Sequence, residues 1–171
     1  MTTLKTKMAF SEASELAGSL MMALLPLCNR IEVAGSVRRK KPEIGDLELV
    51  AIPRMESIMD LSTSLFRIDA AIPGKLIKGG QFYRQYDLGT ISLDLFLTTP
   101  EKWGCVFTIR TGSADFSHRL VTARKFGGLC PSNLKFRDGH IWDGETAFET
   151  PEEQDVFKVL HLDWIDPEKR I

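Results

Sequence analysis

A chain of 171 residues holds one ordinary domain or two small ones. Its 43% apolar and 26% charged residues exclude a disordered or fibrous protein, and a net charge of −1 does not by itself mark a nucleic-acid binder, since the distribution of charge decides that. The longest apolar run, Leu20 to Leu27, is broken by Pro26 and falls far short of a membrane span. Lys5 and Lys7 are followed by no secretory apolar core and cleavage site, so a cytoplasmic location, or the interior of a host cell, is expected.

From the N-terminus, Ser11 to about Leu25 is predicted as a helix, with Ser11 as N-cap, Glu12 in the first turn and an apolar stripe of Ala13, Leu16, Ala17, Leu20 and Leu24. Pro26 ends it. Ile31 and Val33 form a short strand that breaks into a turn at Gly35, and Asp46 to Ile52 is a buried strand closed by Pro53. A second helix is expected from Glu56 to about Ile68, carrying Ile58, Leu61, Leu65 and Ile68 on one side. Two strands, Gln81 to Tyr86 and Ile91 to Leu97, follow around a loop at Gly89. The first half therefore reads as helices on one face of a mixed β-sheet.

Thr99-Pro100-Glu101 leaves that sheet. Ser113 is expected to cap a helix running to about Phe126 and stopped by Gly127-Gly128. Phe136 to Ile141 carries the Asp138-Gly139 hairpin signal. Thr150-Pro151-Glu152-Glu153 combines an N-cap, a first-turn proline and a capping-box glutamate, opening a helix packed through Val156, Phe157 and Leu160. The second half is a small α/β unit, which makes the class α+β.

Cys28, Cys105 and Cys130 are odd in number and widely spaced, and His118, His140 and His161 have no metal-binding spacing, so buried free thiols are expected. Basic residues cluster at Arg38 to Lys41, at Arg119, Arg124 and Lys125, and at Lys135 and Arg137, while acidic ones gather in Glu145 to Asp155 and Asp163 to Glu168.

The chemistry concentrates between Gly35 and Glu48. Asp46 and Glu48 stand at i and i+2 on a strand, so both carboxylates point to one face, about 6.5–7 Å apart at the backbone. Like charges this close call for a cation. Mg²⁺ takes one or two carboxylates plus substrate phosphates, and a two-ion site draws on a third. Asp94, the only charge within the apolar run Ile91 to Leu97, supplies it. Taken singly, each acid could cap a turn, pair with a lysine or face water from an edge strand; the three together beside a Gly-Ser turn point to a nucleotide site. Gly35 lets the backbone approach a phosphate, Ser36 adds a hydroxyl, and Arg38 or Arg39 clamps the charge.

These residues, Gly35 to Glu48 without a gap, resemble the nucleotidyltransferase signature of family X DNA polymerases, the DNA polymerase beta relatives. Leu93-Asp94-Leu95 is similar to their third-carboxylate strand. Thr111-Gly112-Ser113 is similar to their incoming-nucleotide loop, and Glu152 to Arg170, with Asp155, Phe157, Trp164, Pro167 and Arg170, to the close of their thumb.

The resemblance implies a nucleotidyltransferase palm at residues 1–100 and a nucleotide- and DNA-contacting thumb at residues 101–171. It implies two Mg²⁺ ions, replaceable by Mn²⁺, on Asp46, Glu48 and Asp94. Triphosphate contacts would fall to Gly35, Ser36, Arg38, Arg39 and Gly45, and nucleotide contacts to Thr111, Gly112, Ser113, Ser117 and His118. From the charges, Arg119, Arg124, Lys125 and Lys135 are expected to meet DNA phosphates. The implied activity is a monomeric, short-gap-filling repair polymerase that adds dNMP from dNTP to a primer 3′-hydroxyl. The alternatives are transfer without a template or to another acceptor, and a binding module that has lost catalysis.

Three departures stand out. Glu48 replaces the usual second Asp, Ile109-Arg110 replaces an aromatic pair, and only about thirty residues precede Gly35, as in minimal viral or phage-like enzymes without a lyase domain.

Overall fold

The computed structural model describes residues 7–55 and 60–171. Contacts divide the chain into two compact units, Met1–Leu97 and Thr98–Ile171. The first begins with β1 (Met8–Ala9), α1 (Phe10–Leu24), β2 (Cys28–Val33) and the one-turn α2 (Gly35–Arg38). It continues through β3 (Glu43–Ile44), β4 (Asp46–Pro53), α3 (Leu61–Ala71), β5 (Lys75–Gly79), β6 (Tyr83–Asp87) and β7 (Ser92–Leu97).

Five strands form one sheet in the order β2-β4-β7-β6-β5, with β4 parallel to β7 and the other pairs antiparallel. Side chains alternate along each strand, so Leu47, Leu49 and Ala51 of β4 and Leu93, Leu95 and Leu97 of β7 fall on the same face. That face forms one apolar core with Ala13, Ala17, Leu20 and Leu24 of α1 and Ile68 of α3. The helices thus cover one side of the sheet, as the sequence pattern predicts.

The N-cap of α1 lies two residues earlier than expected, at Ala9, which makes no side-chain cap bond; Ser11 lies inside the first turn. Backbone pairing sets the entry instead: β1 pairs with β3, and Phe10 N donates to Pro42 O at 3.1 Å. Pro26 sits in a 3₁₀ turn, Leu25–Leu27, that closes the helix. Of the second predicted helix, Glu56 to Met59 lie outside the described residues; the observed α3 runs three residues past Ile68 to Ala71.

α3 is tied to the sheet by a polar network absent from the sequence reading. Buried Arg84 of β6 pairs with Asp69, and the Tyr86 hydroxyl donates to Asp69 Oδ1 at 2.6 Å. Burial disfavours the Arg84 charge, but its hydrogen bonds to Asp69 and Tyr86 outweigh that and hold its pKa above the ordinary value.

The second unit contains α4 (Trp103–Thr111), α5 (Ala114–Val121), β8 (Leu134–Arg137), β9 (His140–Asp143), β10 (Thr146–Phe148) and α6 (Glu153–Val159). The three strands make an antiparallel sheet, and the β8–β9 turn is Asp138-Gly139 with φ of 54° and 79°, the conformation that an Asp-Gly turn favours. Cys105, Phe116, Leu120, Cys130, Leu134, Ile141, Val156, Phe157 and Leu160 form its core. All three cysteines are buried and free.

Two boundaries move. Ser113 does cap α5, accepting from Phe116 N at 3.0 Å, but the helix stops at Val121 rather than Phe126. Cys130 N donates to Thr122 O and Arg124 N to Cys130 O, so returning chain takes the backbone groups that a longer helix would use. α6 is capped at Glu152, which forms a reciprocal box with Asp155. Thr150 is instead buried against α4, its hydroxyl accepting from Cys105 N at 3.2 Å.

Candidate active site

On β4, residues 47, 49 and 51 belong to the core, so Asp46 and Glu48 project from the opposite face. The parallel register sets Asp46 beside Ser92 and Glu48 beside Asp94. Asp94 alternates with the core residues Leu93 and Leu95 and therefore shares that face. All three acids are partly exposed at the same end of adjacent central strands.

On its other side Asp94 is opposite Gln85 of β6. Its Oδ1 accepts from Gln85 Nε2 at 2.8 Å and from the Tyr83 hydroxyl at 2.9 Å. Tyr83 stacks on Phe96, ring centroids 5.2 Å apart. Among the described residues no three His, Cys, Asp or Glu side chains are gathered closely enough to hold a metal ion as they stand. The register brings the acids together along the backbone, while the Asp94 carboxylate is hydrogen-bonded toward β6.

The turn before β4 is built against the same carboxylates. Ala34 N donates to Glu48 O at 2.8 Å, which docks the start of α2 on the strand. Gly35 has φ of +59°, and a Cβ there would lie 1.8 Å from Glu48 Oε2. Only glycine meets both demands.

Ser36 Oγ is shielded from solvent and has no hydrogen-bond partner among the described residues. Arg39, at the end of α2, is half-buried; burial lowers its pKa, and the charges of Glu48 and Asp46 oppose that shift. Arg38 closes the same helical turn. Gly45, by contrast, has no left-handed backbone and no described residue within 4 Å of an added Cβ, so nothing among the described residues demands glycine there.

The remaining predicted contacts belong to the second unit. Buried Thr111 ends α4, and Gly112 N donates to Thr108 O. A Cβ on Gly112 would lie 2.4 Å from the Phe116 ring and 2.6 Å from Ser117 Oγ. Ser113 N donates to Arg170 O at 2.9 Å, and Ser117 Oγ donates to Ile109 O at 2.6 Å. Arg170 is fully buried, paired with Glu153 and packed against the Phe157 and Trp164 rings, so the C-terminal segment anchors the Gly112 loop.

His118 and Arg119 are exposed on α5. Arg124 donates to Leu160 O at 2.7 Å and Leu129 O at 3.2 Å, which commits its guanidinium to backbone carbonyls. Lys125 lies over the exposed Phe126 ring, and Lys135 is exposed on β8.

Tyr83 and Gln85 were not anticipated. Their signal was parity: they alternate with Arg84 and Tyr86 on the strand preceding Asp94, which places them on its face once the antiparallel register is known.

Among solved structures, a ternary P/T complex of polymerase beta from Leishmania infantum matches this chain with a TM-score of 0.78. Identity is 16%, over 98% of this chain and 78% of that one. A ternary gap complex of the same Leishmania polymerase beta matches with the same score and identity over 96% and 71%. This is a polymerase beta-like fold. The mixed sheet, the helices on one of its faces and the smaller α/β unit all belong to that likeness. No protein-family model and no curated protein sequence matches the chain. Among the described residues no helix is long and apolar enough to cross a membrane.

Proposed function

We propose that the protein is a DNA-directed nucleotidyltransferase that extends a primer 3′-hydroxyl with dNMP from dNTP and fills short gaps. The observation that carries this reading is the register of β4 and β7, which sets Glu48 beside Asp94 with Asp46 on the same face and the Gly35 turn against them. The polymerase beta-like fold supports it, as does a similar protein, Leishmania infantum polymerase beta, solved as a ternary gap complex.

The reaction joins the primer 3′-oxygen to the α-phosphorus and breaks the α–β bridge, with the bond electrons leaving on pyrophosphate. This chain's share is positioning and charge. The donor set fits Mg²⁺: three carboxylates offer hard oxygen ligands, and the Ser36 hydroxyl, which has no partner among the described residues, suits a phosphate oxygen beside them. Bound there, with Mn²⁺ able to substitute, two ions would neutralise the triphosphate and make the 3′-hydroxyl more acidic. Asp46, Glu48 and Asp94 would hold these ions, with Asp94 serving the activation of the 3′-hydroxyl.

Ser36, Arg39 and the amides around Gly35 grip the triphosphate, with Arg38 at hand and Gly45 as a backbone contact. Residues 1–100 act as palm. Residues 101–171 act as thumb, in which Thr111, Gly112 and Ser113 with Ser117 and His118 meet the nucleotide. Arg119, Lys125 and Lys135 meet DNA phosphates; Arg124, tied to Leu160 O, holds their scaffold.

The test is a one-nucleotide gap, Mg²⁺ and the four dNTPs supplied singly. Incorporation matched to the template base is expected. Incorporation that ignores the template moves the protein to untemplated transfer, and none at all with properly folded protein rejects the enzyme.

A further inference from the structure

We infer that Tyr83 and Gln85 are positioning residues that orient Asp94 toward a metal ion, a role that rests on the nucleotidyl-transfer reading above. The antiparallel β6–β7 register sets Gln85 opposite Asp94 and Tyr83 opposite Phe96. Between them, Arg84 turns to the helix side and is spent on Asp69 and Tyr86. The acid on β7 thus has a second acid, Glu48, across one side and two neutral donors across the other.

Both donors bind the same atom, Asp94 Oδ1, at 2.9 and 2.8 Å. Among the described residues Oδ2 accepts no hydrogen bond. One oxygen is held and the other is left for a ligand. The choice of donors matters. A lysine or arginine at position 83 or 85 would pair with the carboxylate and compete with a cation, whereas a phenol and an amide hold the oxygen and leave its charge intact.

The Tyr83 ring is itself braced, stacked on Phe96 at 25° between planes. Carboxylates that bind metal are commonly fixed by such outer hydrogen bonds, and losing one costs about 10–100-fold in metal affinity or activity. If Tyr83 and Gln85 only filled the sheet surface, their loss would lower stability and leave metal affinity alone.

Mn²⁺ binding, followed by electron paramagnetic resonance with a non-hydrolysable dNTP analogue present, separates the two roles. Tyr83→Phe keeps the ring stack and removes one donor; Gln85→Met keeps the length of the side chain and removes the other. Each is expected to weaken the Asp94-dependent Mn²⁺ site by about 10-fold, and the pair by up to about 100-fold. On gapped DNA kcat should fall while KM for dNTP moves less than about 3-fold.

Asp94→Ala is the control. If it loses Mn²⁺ and turnover while the double variant binds Mn²⁺ within about 2-fold of the native protein, the positioning role is wrong and the enzyme reading stands. If Asp94→Ala keeps both, the enzyme reading itself is wrong. Circular dichroism melts verify folding, and should the double variant fail to fold, Tyr83→Phe alone carries the test.

Discussion

Gly35→Ala probes the contact on which the site's geometry turns. A Cβ at this position would lie 1.8 Å from Glu48 Oε2, 2.7 Å from its Cδ and 3.1 Å from its Cβ, where ordinary contact begins near 3.4 Å. Rotating the carboxylate relieves only the first two clashes, because the third involves an atom fixed to the strand.

The backbone adds its own cost: φ of +59° is left-handed, worth about 1–2 kcal/mol against an L residue. Crowding a packed position adds about 1–3 kcal/mol, so a loss of about 2–5 kcal/mol is expected. Should the protein yield by swinging Glu48 aside, the stability loss falls toward the lower figure and Mn²⁺ binding and turnover are lost instead.

Gly18→Ala is the matched control. Gly18 lies inside α1 with nothing among the described residues within 4 Å of the added methyl, and alanine there should stabilise by about 0.5–1 kcal/mol. Urea and thermal melts of both variants, with Mn²⁺ binding and gap filling alongside, measure each term. The reasoning would be refuted by a Gly35→Ala protein within about 0.5 kcal/mol of native that also keeps its metal affinity and turnover.

Three further outcomes are expected. Asp94→Ala should reduce turnover by more than about three decades, roughly 4 kcal/mol of barrier, in single-turnover gap filling; near-native rates would place the chemistry elsewhere. Lys125→Ala should reduce the salt slope of DNA binding by about one, whereas Arg124→Ala, which frees the Leu160 carbonyl, should lower stability by about 1–3 kcal/mol; an unchanged slope for Lys125→Ala would make it an ordinary surface charge.

The third concerns the thiols. Burial pushes Cys28 up to about 11, against a smaller opposing effect of Arg54, and Cys105 up to about 12. The folded chain therefore keeps protons that the unfolded chain releases near pH 9, so this contribution to stability is complete below pH 9 and fades as pH climbs through 11–12. Denaturation midpoints between pH 7 and 11 measure it, and native thiols should resist a thiol reagent at pH 8 until denaturant is added.

What the sequence disclosed, and what it did not, follows how far each element's pattern is local. β4 and β7 were legible because an acid in an alternating apolar strand has few explanations, and parity alone put Asp46 with Glu48. The hairpin at Asp138-Gly139 was legible because that dipeptide suits the left-handed turn observed. α4 was missed for the opposite reason. Trp103, Gly104, Cys105, Phe107, Thr108 and Thr111 are all buried, so no polar face marks its period, and its aromatic and β-branched residues favour a strand. β5 was missed because all five of its residues are exposed and carry no alternation; it exists through pairing with β6.

The same distinction governs the site. Residue type and spacing bring out the acids, but the partners of Asp94 depend on which residue of β6 faces it, a fact of register that a loop one residue longer would reverse. Gln85 and Tyr83 are unremarkable in sequence, and only the pairing of Gln85 with Asp94 turns two half-buried polar residues on an inner strand into the donors that hold an acid in place. Inserting a single residue in the Leu88–Thr90 turn should therefore do more harm than its exposure suggests. If the strand slips by one so that Arg84 replaces Gln85 beside Asp94, a fixed cation then takes the carboxylate proposed to bind the metal. An insertion variant with native Mn²⁺ affinity would show that the turn absorbs the extra residue and that register is pinned elsewhere.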